Sequence, residues 1–150
     1  MSMDTYSVGT ALAARFSSIT PPTGYDAIRG SSVFMPDSIS VFPYVIVMPP
    51  DSTLSYMMNK QVDELYSFTV RFMIPRSMGT DRGTKALYAW RDAIVKASLG
   101  NQNLDVGGVY SCLVTAVSIG DVSYGGEDEL FAIDLTTEVR ARNVVSEIAP

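Results

Sequence analysis

The chain has 150 residues, 47% of them hydrophobic, so a domain of ordinary size can bury a core without metals or crosslinks. Eleven basic against sixteen acidic residues give a formal charge of -5, and the basic residues are scattered, which argues against tight nucleic-acid binding. A lone cysteine, Cys112, excludes an internal disulfide, and the absence of histidine removes the commonest general base and the usual zinc ligand.

Residues 4–19 read as a helix, with Val8, Leu12, Phe16 and Ile19 recurring at helical spacing and Asp4 or Thr5 as its cap. Ala11, Ala13 and Ala14 keep it slim, while Gly9 weakens it. Residues 17–43 carry Pro21, Pro22, Gly24, Gly30, Pro36 and Pro43, which is turn chemistry. A connection of that length is functional or mobile in most compact domains, and part of it, 32–35 or 39–42, is expected to pair as a short edge strand.

Tyr44, Val45, Ile46, Val47 and Met48 form a continuous apolar run between prolines, the pattern of a short strand buried on both faces. Residues 49–60 follow as a hairpin tip or excursion. The clearest strand is 65–75, where Tyr66, Phe68, Val70, Phe72 and Ile74 alternate with Ser67, Thr69 and Arg71 and Pro75 stops the ladder. Residues 81–98 read as the best helix, capped by Thr80 or Asp81 and ended by Gly100, with Leu87, Trp90, Ile94 and Ala97 as its stripe and Asp92–Lys96 as an ion pair.

Residues 109–119 are apolar on both sides and are expected at the centre of the sheet. Residues 130–140 alternate, with Phe131, Ile133, Leu135 and Val139 inward and Asp134, Thr136, Glu138 and Arg140 outward. The intervening Tyr124-Gly125-Gly126-Glu127-Asp128 reads as a hairpin turn. The residues from 143 onward are expected to be a loose tail. This order predicts a single α+β domain over 1–150, a mostly antiparallel sheet of about four to five strands with two helices packed on one face.

The chemistry-bearing motifs are sparse. Gly79-Thr80-Asp81-Arg82-Gly83-Thr84-Lys85 precedes a helix as a phosphate loop does, but three residues separate its glycines and Ala86 follows the lysine, so the pattern fails. Glu127, Asp128 and Glu129 crowd beside two glycines without the alternating spacing of a calcium loop, and read as a solvated tip. Cys112, in an apolar run, reads as a small buried hydrophobe. The start lacks the basic and apolar regions of a signal peptide, and no apolar run reaches the ~20 residues of a membrane-spanning helix, so a cytoplasm is the expected place of synthesis and assembly. These patterns indicate no catalytic residue, cofactor or metal. Tyr56, Met57 and Met58 lie outside the expected core elements: either they form an adaptable contact surface, which makes them the candidate interface, or they pack under the long 17–43 loop.

The chain resembles the tail terminator family of long-tailed bacteriophages. The likeness is carried by Ala11-Leu12-Ala13-Ala14-Arg15 in the opening helix, the block from Met35-Pro36-Asp37-Ser38 through Phe42-Pro43-Tyr44-Val45-Ile46-Val47, and the aromatic strand 66–73. Ser98-Leu99-Gly100, Gly107-Gly108-Val109 and Tyr124-Gly125-Gly126 before a final alternating strand complete it, over about residues 5–142. The resemblance implies a non-enzymatic virion protein of the tail or neck, assembled in the host cytoplasm as a homo-oligomeric ring, expected to be a hexamer. Such a ring caps the head-proximal end of the tail tube, ends tube polymerisation and presents the surface for head joining. The implied partners are the tail tube protein and a head-tail connector or stopper, with genomic DNA passing through the lumen without specific binding. Another neck connector or adaptor fits the same residues, and a small carboxylate-based enzyme is the rival from a different class.

Overall fold

The computed structural model describes residues 5–33, 39, 41–57, 60–75, 80–98, 104, 108–124 and 128–144. Two helices, α1 (Thr5–Ser17) and α2 (Thr80–Ser98), accompany six strands. The strands are β1 (Gly30–Ser32), β2 (Tyr44–Val47), β3 (Asp51–Met57), β4 (Gln61–Pro75), β5 (Val109–Tyr124) and β6 (Asp128–Val144). The α+β expectation holds, with one sheet of six strands in place of four to five.

The sheet runs β1-β2-β4-β6-β5, and β3 also pairs with β4. Only β1–β2 is parallel. β2 faces Val70 to Met73 of β4 and β3 faces Gln61 to Ser67, so β2 and β3 lie end to end along one side of β4. The Met48 amide, donating to the Thr69 carbonyl at 2.9 Å, carries the ladder across the gap that Pro49 and Pro50 cannot bridge.

One face of the sheet holds both helices. Val8, Leu12 and Phe16 of α1 and Leu87, Trp90 and Ile94 of α2 join the inward residues of β4 and β6 in one buried cluster. Phe16 meets Phe72 edge-on at 5.9 Å. The alternation expected along 65–75 and 130–140 is observed: Tyr66, Phe68, Val70, Phe72 and Ile74 are buried, as are Phe131, Ile133, Leu135 and Val139. β2 is buried on both sides, because Val45 and Val47 enter the main cluster while Ile46 joins Met73 and Leu130 beneath Ile39 and Phe42 on the other face.

Several expectations are corrected. β5 is an edge strand, not a central one. Its inward residues Val109 and Cys112 are buried, but Ile119 on the same face is exposed, as is Leu113 on the other face and Tyr110 beside the first bulge, so much of its apolar surface is uncovered among the described residues. Ala97 is exposed, and Ala86, one turn before Trp90, is buried in its place in the α2 stripe. Asp92 pairs with Arg91 at 3.1 Å, not with Lys96, an exchange that costs little between exposed side chains.

A short edge strand forms at Gly30–Ser32, meeting the expected 32–35 at Ser32, while residues 34–38 and 40 of the expected ranges lie outside the described residues. Gly30 is required there, because a Cβ would stand 2.7 Å from the Tyr44 ring. Asn143 and Val144, expected in a loose tail, pair instead with Val62 and Gln61, and residues 145–150 lie outside the described residues. The hairpin between β5 and β6 is present, closing at Tyr124 opposite Asp128. Its turn residues 125–127, and the helix stop at Gly100, lie outside the described residues.

Candidate functional site

β3 and the first half of β4 form an arm that continues the sheet past the helices. All seven residues of β3 are exposed. In the antiparallel register Leu54 lies opposite Glu64 and Tyr56 opposite Val62, so both project on the helix-bearing face. Tyr56 is 77% exposed, Leu54 49% and Met57 44%. Two of the three candidate interface residues, Tyr56 and Met57, are exposed on this strand but project to opposite faces of it, and Met58 lies outside the described residues. At the arm's tip Lys60 adopts a left-handed backbone, with φ of 57°.

The arm is held from below by polar contacts. The Tyr66 hydroxyl donates to the Glu64 carboxylate at 2.7 Å, and the Thr5 hydroxyl reaches the Tyr66 oxygen at 3.4 Å. On the bare face, Arg142 donates two hydrogen bonds to Asp63, at 2.8 and 3.2 Å, and its guanidinium lies 5.3 Å from the centre of the Tyr110 ring. That hydrogen bonding, opposed by slight burial and reinforced by the charges of Arg142 and Arg140, holds the Asp63 carboxyl below the usual carboxylate range. Further along the same face Arg71 makes a two-pronged pair with Asp134, at 2.8 and 2.9 Å.

These pairings bear on the acid/base rival. Asp63 and Glu64 are adjacent in a strand, so their side chains project to opposite faces, and each is already paired, Asp63 with Arg142 and Glu64 with the Tyr66 hydroxyl. Among the described residues no three His, Cys, Asp or Glu side chains cluster closely enough to hold a metal ion. Glu127 lies outside the described residues, as does Gly79 of the loop before α2. Cys112 is buried and free, as its apolar context indicates. Burial pushes its thiol up, against the opposing charge of Arg15, whose guanidinium is 3.5 Å from the sulfur.

One concavity lies between residues 19–23 and the end of α2 at Ala93, Lys96 and Ala97; another is lined by Thr53, Ser55, Asp63, Glu64, Leu65, Tyr110 and Arg140. In the second, the Asp63 carboxylate is engaged by Arg142 and the Glu64 carboxylate by the Tyr66 hydroxyl. The chemistry on offer is contact: an exposed edge strand with apolar side chains at one side of the sheet, and a second exposed edge, β5, at the other. Leu54 was absent from the candidate interface, as were Tyr110, Leu113 and Ile119. Their signal was apolarity on the side of a strand that no other element of the chain covers.

Among the described residues no helix is long and apolar enough to cross a membrane. No protein-family model matches the sequence, and no curated protein matches it. The fold is similar to that of a chain in the virion of a native gene transfer agent particle, with a TM-score of 0.54 at 15% identity, over 76% of this chain and 78% of that one.

Proposed function

We propose that this chain is a structural, non-enzymatic component of a phage-like virion, a ring that caps the head-proximal end of the tail tube. The likeness of fold to a virion chain of the gene transfer agent particle, over three-quarters of both chains, carries the reading. The uncovered apolar side chains of β3 and β5 support it, because a protein working by assembly must keep such surface outside its own core.

In this reading the ring ends addition of tube subunits and presents its other side to a connector or stopper of the head. A head-to-tail interface between identical subunits closes into a ring and limits its own growth. The net charge of -5 lets DNA slide through without adhering, since capture requires clustered cations toward the lumen. Tyr56, Met57 and Met58, with the 17–43 loop, are the proposed contacts with the tube or a neighbouring subunit.

Electron microscopy of particles made with this gene inactivated tests the role. The expected result is abnormally long tails without heads. Tails of normal length that fail to join heads would move the chain to a neck adaptor, and normal infectious particles would overturn the structural reading.

A further inference from the structure

We infer that copies of this chain join by the β3 edge of one pairing with the β5 edge of the next, so that the sheet continues across the boundary between subunits. The inference deepens the ring reading above and rests on it. Its first support is strand direction. Along β3-β4-β6-β5 every neighbouring pair is antiparallel, so β3 and β5 run in opposite directions at opposite edges. Four alternating strands repeated side by side keep the alternation at each junction, so the β3 of one copy meets the β5 of the next as an antiparallel pair.

The second support is the state of the two edges. β3 presents seven residues with no proline, lysine or bulge among them, which are the usual devices that keep an exposed edge from pairing. β5 does carry bulges, between Val109 and Ser111 and between Val114 and Ala116, but its pairing with β6 runs without a break from Ala116 to Tyr124. That unbulged stretch is longer than β3. β1 lies beside β2 in the column next to β3, so a neighbouring β5 can run alongside β3 only with this C-terminal half.

The third support is which side chains would meet. Val117 and Ile119 lie opposite Leu135 and Ile133, on the helix-bearing face, where Leu54 and Tyr56 also project. Ala116 and Ser118 share the other face with Thr53 and Ser55. A continued sheet keeps each face on its own side, so apolar meets apolar and small or hydroxylated meets its like.

Sedimentation velocity of three purified proteins over a concentration series tests this: the wild type, a β3 variant (Leu54→Lys with Tyr56→Lys) and a β5 variant (Ile119→Lys). Every substituted side chain is already at least 40% exposed, and Tyr56→Lys alone, at 77%, serves if the double variant fails to match the wild-type circular dichroism. The wild type is expected to form a closed oligomer and each variant alone to be monomeric. An equimolar mixture is expected to give a heterodimer and nothing larger, because each partner keeps one competent edge. Variants that assemble like the wild type overturn the edge pairing and leave the ring reading standing. Self-dimers of the β5 variant, or a mixture with no heterodimer, also overturn it. A wild type that stays monomeric at every concentration overturns both.

Discussion

Thr137 is fully buried on the helix-bearing face, and its hydroxyl has no hydrogen-bond partner among the described residues. A hydroxyl stranded in that way loses its hydration without recompense. Thr137→Val keeps the shape and removes the stranded group, so it is expected to raise the unfolding free energy by about 1 kcal/mol in urea titration. Gly9 offers a second gain. A Cβ there would meet Val33 at 3.6 Å and Phe68 at 3.9 Å, ordinary contact distances inside a helix where glycine is costly. Gly9→Ala should therefore stabilise by about 0.5–1 kcal/mol, read as a rise in the thermal midpoint. The alternation of Phe131, Ile133, Leu135 and Val139 marks that strand's inward face, but which hydroxyl on it lacks a partner depends on what packs above.

The Asp63–Arg142 pair gives a prediction with a sign. The folded carboxyl titrates below its unfolded value, so its contribution is complete above the unfolded value of about 3.9 and is lost as pH falls through the folded one. Arg142→Gln is expected to move the Asp63 titration, followed by carboxyl NMR, upward toward the ordinary range. Because the pair is solvent-exposed, little change in overall stability at neutral pH is expected. A pairing between residues 79 positions apart depends on strand register, which composition and spacing do not fix.

At the scale of elements, periodicity revealed the helices and the long strands because each has one side against the core. Val8, Leu12 and Phe16 in α1, and Tyr66 to Ile74 in β4, are legible for that reason. β5 was misplaced because apolarity on two sides reads the same whether the second side meets the chain's own core or a partner. β3 was hidden for the opposite reason: none of its residues is buried, so no alternation between core and solvent marks it. The same lack of burial predicts its dynamics. In the monomer, β3 amides should exchange with solvent faster than those of β4 and β6, whose ladders are covered on both sides. In the assembled oligomer they should become protected, as hydrogen exchange followed by mass spectrometry will show.

For the whole molecule, the helices close one face and the strands leave both edges of the sheet unpaired along β3 and β5. Tyr56 and Met57 stand out in the sequence as apolar residues outside any core pattern, whereas the exposed apolar residues of β5 are concealed by a hydrophobic run that reads as core. The proposed cap on a growing tube is tested by polymerising the cognate tail tube protein with and without this chain and measuring tube lengths by negative-stain electron microscopy. Shorter tubes, each carrying a ring at one end only, are expected; unchanged lengths with bare ends would overturn the proposal.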